Sequence, residues 1–151
     1  MPTEDIKQNK ATIRPMEPED ISAVLEIDRK ITGAQRALTY TDPLIGNIGG
    51  ELDLSYVAEI DGQVVGFIMA RRDYLGEPVA EVGLIQILGV DPDYQRQGIA
   101  TQLVNAMLQR CKSKGLKLVR LIVNESDSQL QGFFAQLDFL RGQLIDYTKA
   151  L

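Results

Sequence analysis

The chain has 151 residues, of which 44% are hydrophobic and 25% are charged, and its formal net charge is −5. This length and composition predict one domain over residues 1–151 and exclude disordered, collagen-like and disulfide-stapled proteins. The sequence contains no His. This excludes Ser-His-Asp and Cys-His nucleophilic sites and His-ligated metal sites, and no metal site is expected. Any proton transfer must use a carboxylate, Tyr, Lys, the chain amine or an ordered water.

The cysteine content and the lack of long apolar runs indicate the cellular compartment. Cys111 is the only cysteine, so no intrachain disulfide can form and no oxidising compartment is required. Residues 1–9 are polar and expected to be flexible. The absence of an apolar leader or of a long apolar run predicts a cytoplasmic protein that does not bind membranes.

The charge is uneven along the chain, with −9 over residues 1–95 and +4 over residues 96–151. This pattern suits a cationic substrate and an anionic cofactor, although two solvated faces would produce it equally well. No dense basic tract is present, which argues against nucleic-acid binding.

The first part of the chain predicts one strand, one helix and an irregular segment. Residues 12–14 alternate like a short strand. Pro18, followed by two acidic residues, predicts the start of a helix that runs to Gly33. Residues 34–53 are interrupted by Pro43 and several glycines, which is typical of a lip over a site.

The remaining elements are clearer. Two strands flank the turn Asp61-Gly62 and predict a tight hairpin. An amphipathic helix begins at Gly98, ends near Gly115 and carries Cys111 on its apolar stripe. The other predicted elements are strands over 79–90 and 117–123, a helix over 128–137 and a last strand or hairpin over 139–147. This order predicts an α/β (α+β) fold: a mixed, mostly antiparallel twisted sheet of about six or seven strands with helices on both faces.

The stretch from Leu88 to Thr101 joins the end of the longest strand to the best helix. The first N–H groups of a helix have no helical partner and carry the positive end of its dipole, so they can bind a diphosphate. Gly98 removes the Cβ that would block such a ligand, and Ala100 keeps the next inward position small. The pattern Q-x-x-G-x-A alone is weak, since an ordinary strand–turn–helix connection also produces it.

The run Gly89-Val90-Asp91-Pro92-Asp93-Tyr94-Gln95-Arg96-Gln97-Gly98-Ile99-Ala100 resembles the acetyl-CoA-binding motif of the GNAT family of N-acetyltransferases. The order of elements extends this resemblance over nearly the whole chain, including the opening strand and helix around Ile13 to Ile21. It implies a GNAT-like acyl-CoA N-acyltransferase fold with acetyl-CoA (coenzyme A) as cofactor. It also allows a homodimer, since sheet edges in this family often pair.

The resemblance further implies transfer of the acetyl group to a primary amine by direct attack in a ternary complex. The acceptor would be a peptide N-terminus, a Lys side chain or a small cationic amine. An alternative stays open, in which the chain binds acyl-CoA without efficient transfer and acts as a sensor or interaction module.

The same resemblance implies the cofactor contacts. Leu88 and Val90 would bind the pantetheine arm through their backbone where two strands splay apart, with Gly89 at the bulge. The Leu88 N–H would also polarise the thioester carbonyl. The diphosphate would be held by the N–H groups of Gln95, Arg96, Gln97, Gly98, Ile99 and Ala100 and by the Thr101 hydroxyl.

The sequence departs from a second signature of the family. Asp127 stands where Asn is usual, Phe134 where Tyr is usual and Asp138 where Gly is usual. The first two positions would still lie against the cofactor. Phe134, however, cannot protonate the leaving CoA thiolate as the family's Tyr commonly does. The family's two usual base positions are also apolar here, at Leu84 and Ile122.

Three polar residues remain as catalytic candidates. Strand alternation predicts that Gln86 shares a face with Leu84 and Leu88, where it could hold a water that accepts the amine proton. Glu81 falls on the opposite face, and a surface charge at a strand end is the competing interpretation. Tyr147, on the predicted last strand, could replace the missing hydroxyl or could be a half-buried strand residue.

Overall fold

A computed structural model of the chain describes residues 10–33, 51–75 and 80–151. Within these residues, five strands form one sheet in the order β1-β2-β3-β4-β5. The strands are β1 (Thr12–Pro15), β2 (Tyr56–Ile60), β3 (Gln63–Leu75), β4 (Ala80–Val90) and β5 (Val119–Leu121). The helices are α1 (Ile21–Thr32), α2 (Ile99–Ser113) and α3 (Ser128–Gln136). Short 3-10 turns cover Pro18–Asp20, Glu51–Leu54 and Pro92–Tyr94.

The sheet is mixed and mostly antiparallel, as predicted. Three of its neighbouring strand pairs are antiparallel, and β4 and β5 are parallel. The predicted hairpin joins β2 to β3, and its turn residues Asp61 (φ 51°) and Gly62 (φ 78°) both have the positive φ that a type I′ turn requires. The described strands are fewer than the six or seven expected.

Helices cover both faces of the sheet, which confirms the layered arrangement. Val24 and Ile27 of α1 pack against Val57 and Phe67 on one face. On the other face α2 contributes an apolar stripe to a larger cluster, formed by Leu103, Val104, Met107 and the buried Cys111. Burial raises the pKa of the Cys111 thiol, so this residue serves packing, as expected.

The first helix begins later than predicted. Pro18 opens a 3-10 turn, and α1 starts only at Ile21. Arg14 of β1 fixes this start by donating two hydrogen bonds to Asp20, at 2.8 and 2.9 Å. The helix ends as predicted before Gly33, which has the left-handed φ of 69° that favours glycine. Of the predicted lip, residues 34–50 lie outside the described residues, as do the N-terminal residues 1–9.

The prediction of a last strand over 139–147 is wrong. Residues 140–151 are exposed throughout and form no strand. The strand predicted over 117–123 is also shorter, because its pairing with β4 ends at Leu121. Strand β4 itself continues to Val90, so the chain separates from β4 after Leu121 and the following apolar residues join no ladder. Among the described residues, no helix is long and apolar enough to cross a membrane.

Candidate functional site

The neighbouring strands β4 and β5 separate partway along their length. Their parallel pairing runs from Gly83 opposite Val119 to Ile85 opposite Leu121 and then stops. Strand β4 continues to Val90, still paired with β3 on its other side. Residues 86–90 therefore border an opening on the β5 side, which we call the wedge.

Backbone groups of β4 point into this wedge. The Asp91 N–H donates to the Val65 carbonyl at 2.8 Å, so these two residues form a hydrogen-bonded antiparallel pair. Such pairs alternate along a ladder with non-hydrogen-bonded pairs, whose N–H and C=O groups point away from the partner strand. In the register with β3, Leu88 and Val90 fall at the non-hydrogen-bonded positions. Their backbone groups consequently face away from β3, towards the wedge.

The bulge lies at Gln86 rather than at Gly89. The register with β3 shifts between Ile85 and Ile87, and Gln86 is the extra residue. Gly89 pairs regularly with Phe67, so the expectation of a bulge at Gly89 is wrong. A Cβ on Gly89 would lie 2.8 Å from Phe67 Cε1 and 3.1 Å from Ile31 Cδ1, which explains the glycine by packing.

This bulge also corrects the prediction for Gln86. Ile85 and Leu88 both join the core on the α2 face, although strict alternation would place them on opposite faces. Leu84, which alternates with Ile85, is therefore opposite Leu88. Gln86 cannot share a face with both leucines, and its side chain is exposed at the bulge.

The connection from β4 to α2 is held by a buried carboxylate. Asp91 accepts a hydrogen bond from the Asp93 N–H at 2.9 Å and another from the Lys30 ammonium of α1 at 2.8 Å. The Gln95 side chain donates to the Val90 carbonyl at 3.1 Å. These hydrogen bonds therefore join the C-terminal end of β4 to the following loop and to α1, beside the wedge.

The Asp91 carboxylate and the Lys30 ammonium stabilise each other's charge. Burial raises the pKa of the Asp91 carboxyl, but the hydrogen bonds from Lys30 and the Asp93 N–H outweigh it and leave the pKa lowered. The hydrogen bond to Asp91 raises the pKa of the Lys30 ammonium. Both groups are therefore charged at neutral pH. The sequence did not lead us to predict this pair. Two features could have indicated it: an acidic residue that directly follows an apolar strand, and a lysine near the end of α1.

The start of α2 leaves backbone donors available. Gly98 precedes the helix with φ 79°, and no side chain caps it. The first helical hydrogen bond runs from the Gln102 N–H to the Gly98 carbonyl, at 3.1 Å. The N–H groups of Ile99, Ala100 and Thr101 consequently have no acceptor within the helix. An uncapped helix start beside the exposed Arg96 fits an anionic diphosphate.

Two of the three residues that depart from the second signature have structural roles in α3. Asp127 caps the helix, its Oδ1 accepting from the Leu130 N–H at 3.0 Å. Phe134 is buried at 4% exposure and packs edge-on against Phe133 and Phe139. Their contact with a cofactor stays a prediction.

The structure does not bring the three catalytic candidates together. Glu81 lies 4.0 Å from the Arg72 guanidinium, and it is seven positions along β4, or about 20 Å, from Leu88. Tyr147 lies in the C-terminal segment, residues 140–151, and is 91% exposed. Gln86 is the candidate that borders the wedge. Asp53, the last residue of the predicted lip, pairs with Lys114 at 2.7 Å.

Known proteins resemble this chain in sequence and in fold. The sequence model of the acetyltransferase (GNAT) family matches residues 21–139. An acetyltransferase of Pectobacterium atrosepticum is 30% identical over 99 residues, which make up 66% of this chain and 66% of that protein. An uncharacterized N-acetyltransferase of Methanocaldococcus jannaschii is 29% identical over 91 residues, 60% of this chain and 40% of that protein. The matches thus span just under two thirds of the first relative and less than half of the second.

Among solved structures, the aminoglycoside N-acetyltransferase AAC(6')-Iy in complex with the bisubstrate analogue CoA-S-monomethyl-acetylneamine has a TM-score of 0.78 at 20% identity. The alignment covers 95% of this chain and 100% of that chain. At this identity the likeness concerns the fold, and it confirms the predicted architecture. Because the family match covers most of the chain, from α1 to the residue before the C-terminal segment, the chain belongs to the acetyltransferase (GNAT) family.

Proposed function

We propose that this chain is an acetyl-CoA-dependent N-acetyltransferase that moves the acetyl group to a primary amine by direct attack in a ternary complex. The observation that carries the proposal is the wedge, where the Leu88 and Val90 backbones face away from β3 beyond the end of the β4–β5 pairing, next to the uncapped start of α2. Membership of the acetyltransferase (GNAT) family supports it, as does the likeness in fold to an enzyme bound to a CoA bisubstrate analogue.

Two parts of the site would hold the cofactor. The N–H groups at the start of α2, the Thr101 hydroxyl and the exposed Arg96 would bind the diphosphate. The backbone of Leu88 and the Val90 N–H would pair with the amides of the pantetheine arm, as an added strand pairs with a sheet edge. The Val90 carbonyl already accepts from Gln95, so this contact fixes the loop that precedes the helix.

The reaction needs few groups from the protein. Acetyl-CoA would supply an activated thioester. The amine nitrogen would bond to the acetyl carbon as the C–S bond breaks, the amine would lose one proton to solvent, and the leaving CoA thiolate would take up one proton from solvent. The Leu88 N–H would stabilise the charge that develops on the carbonyl oxygen. Gln86 would hold the water that accepts the amine proton, since its exposed amide can hydrogen-bond but cannot act as a base.

The acceptor is proposed to be a small cationic amine. The acidic part of the sequence, with a net charge of −9 over residues 1–95, would attract a cation. The acetylneamine portion of the analogue bound to AAC(6')-Iy is in keeping with an acceptor that carries several amines. Lys side chains and peptide N-termini are competing acceptors, and the test described next includes both.

The test measures binding and turnover separately. Thermal unfolding with and without CoA reports binding, and release of free thiol from acetyl-CoA reports transfer to each amine of a panel of aminoglycosides, polyamines, Lys peptides and free peptide N-termini. We expect CoA to raise the melting temperature and at least one amine to accelerate thiol release. Absence of both effects would contradict the proposal.

A matched pair of variants tests the position of the diphosphate. Gly98→Ala and Gly98→Glu share the strain of a side chain at φ 79°, but only the second adds bulk and negative charge. We expect Gly98→Glu to lose stabilisation by CoA and Gly98→Ala to retain most of it. Equal CoA stabilisation in both would show that the diphosphate binds elsewhere.

The alternative function is an acyl-CoA-binding sensor. It is favoured by Phe134, which carries no hydroxyl and is packed into an aromatic cluster, and by the apolar residues Leu84 and Ile122. A sensor predicts clear thermal stabilisation by CoA and no thiol release above background with any amine. The same two measurements therefore separate the two functions.

A further inference from the structure

The sheet face that α1 covers changes from apolar to charged along β3. Alternate residues of β3 on this face are Phe67, Met69, Arg71 and Asp73, and the first two belong to the apolar cluster under α1. Arg71 follows directly where this cluster ends, and its side chain is 39% exposed. The face, which we call the α1 face, therefore carries a cation beyond its apolar part.

A second arginine lies on the same face, two strands away. Arg71 of β3 is paired with Leu84 of β4, and Leu84 is paired with Arg120 of β5. Val119 and Leu121, the neighbours of Arg120, join the core on the α2 face, which leaves Arg120 on the α1 face. Adjacent strands are about 4.8 Å apart, so the Cα atoms of the two arginines are about 10 Å apart. Side chains as long as arginine can reach one ligand together across this distance.

Both arginines have a donor without an acceptor. Within residues 10–33, 51–75 and 80–151, three buried side-chain polar atoms lack a hydrogen-bond partner, and two of them are Arg71 Nε and Arg120 Nε. Among the same residues, Asp73 is the one carboxylate within 4.0 Å of either guanidinium, at 3.8 Å from Arg71 Nη2. A buried N–H of a charged group without an acceptor is destabilising. The pair is therefore able to bind a further oxyanion.

Arg72, the next residue of β3, provides the contrast. It points to the opposite face, where its guanidinium lies 3.4 Å from the Asp53 carboxylate and 4.0 Å from the Glu81 carboxylate. The side chains of Arg71 and Arg72 are almost equally exposed, at 39% and 40%. The two arginines thus differ in their partners and not in their access to solvent, and the one with fewer partners is on the α1 face.

The arginine pair adjoins the wedge. The pairing of Leu84 with Arg120 directly precedes the last pairing of β4 with β5. The proposed diphosphate site belongs to α2, on the other face of the sheet, so an acceptor that does not collide with the cofactor would reach the wedge from the α1 face. Leu84 and Leu88 are separated by about 10 Å along β4 when the bulge is allowed for. One small molecule can therefore place an amine in the wedge and an anion at the arginines.

We propose that the amine acceptor of this enzyme also carries an anionic group, a carboxylate or a phosphate, that binds between Arg71 and Arg120. The inference rests on the proposed function and narrows its acceptor to a molecule that is cationic at its amine and anionic at its other end. Guanidinium groups match the paired oxygens of both anions. The half-buried Leu84 between the arginines would contact the methylene groups that join the two ends.

Turnover of matched acceptors tests this inference. 5-Aminopentanoate and 5-aminopentyl phosphate carry an amine and an anion on one chain, 5-aminopentanol is the neutral counterpart, and shorter and longer homologues of each vary the span. Release of free thiol from acetyl-CoA gives kcat/KM for each compound. At the best chain length we expect kcat/KM for an anionic acceptor to exceed that for the alcohol at least about 10-fold, mainly through a lower KM.

Variants on the two faces assign the preference to the arginine pair. Arg71→Gln and Arg120→Gln should each lower kcat/KM for the anionic acceptor at least about 10-fold and change that for the alcohol less than about 2-fold. Arg72→Gln removes the same charge one residue away on the other face and should leave both values unchanged. Arg71→Lys keeps the charge without the fork and should retain part of the preference. Circular dichroism verifies that each variant is folded.

Thermal unfolding gives a second measurement that needs no turnover. In the presence of CoA, 5-aminopentanoate should raise the melting temperature more than 5-aminopentanol does, and Arg120→Gln should abolish this difference. Absence of thiol release with every amine would contradict the proposed function alone, and the difference in melting temperature would still decide whether the arginines hold the anion.

The following outcomes would overturn the inference. Wild-type protein that uses the alcohols as well as the anionic acceptors at every chain length has no site for the anion. Equal loss of activity with both kinds of acceptor in Arg71→Gln and Arg120→Gln would mean that the arginines serve the structure only. If inorganic phosphate stabilises the protein as strongly as the anionic acceptors and turnover shows no preference, the arginines hold a free anion instead.

Discussion

Two halves of the sheet differ in how they are completed. In the half formed by β3, β4 and α2, apolar side chains pack into the core and the ladder of β4 with β3 is continuous apart from one bulge. In the half formed by β5 and the C-terminal segment, pairing covers three residues and the apolar side chains that follow are exposed. Apolar content is high in both halves, so composition alone does not decide which is buried.

The difference shows that a hydrophobic pattern becomes structure only when a neighbour is available. Strand β4 has β3 along its whole length, and α2 covers it. The C-terminal segment has no such neighbour within the described chain. The variants below compare packed positions with exposed ones, and they run from the largest expected effect to the smallest.

Truncating one leucine in each half should give the largest contrast. Leu103 of α2 is fully buried, and Leu103→Ala is expected to lower the free energy of unfolding by about 2–5 kcal/mol. Leu144→Ala is expected to change it by less than about 0.5 kcal/mol in the monomer. Urea unfolding at low protein concentration measures both. A large cost for Leu144→Ala there would mean that the segment packs within its own chain.

Adding a methyl group to a packed glycine of β4 and to an exposed glycine of α3 should change the stability in opposite directions. Gly89→Ala would force a Cβ to 2.8 Å from Phe67 and is expected to cost about 1–3 kcal/mol. Gly132 lies inside α3 with nothing within 4 Å of its Cβ position, so Gly132→Ala is expected to stabilise by about 0.5–1 kcal/mol. Thermal unfolding gives both values, and a tolerated Gly89→Ala would refute the packing explanation.

Removing one carboxylate from the cap of α3 and one from the C-terminal segment should give a smaller contrast. Asp127→Ala removes the cap of α3 and is expected to cost about 1 kcal/mol. Asp146→Ala removes only a local bond to Thr148 and should be nearly neutral in the monomer. Equal unfolding free energies for the two variants would argue that the α3 cap contributes nothing.

The smallest effect is expected from the tie between Asp91 and Lys30, because Lys30 is partly exposed and solvent weakens the ion pair. The pKa of Asp91 is lowered in the folded state, so its carboxylate stabilises the fold above the unfolded pKa of 3.8, and this is lost as pH falls through the folded value. Wild type should therefore be more stable than Asp91→Asn at pH 7, with the difference shrinking below pH 4. A difference independent of pH would contradict this.

Features set by neighbouring residues could be predicted from the sequence. The Asp61-Gly62 turn, the helix that starts after Gly98 and the burial of Cys111 follow from local conformational preference and helical spacing. The bulge at Gln86 could not be predicted, because one extra residue leaves the apolar pattern of β4 almost unchanged. The contact between Lys30 and Asp91 was also out of reach, since it joins elements far apart in sequence.

The bulge at Gln86 has a consequence for how the wedge is made. Bulges bend a strand and increase its twist, and pairing between β4 and β5 stops at Ile85, directly before the bulge. The opening thus depends on the number of residues in β4 more than on the chemistry of any one of them. Deleting Gln86 should straighten the strand and let β5 pair further, closing the site while the fold persists. Gln86→Ala keeps the residue count and should leave the opening in place.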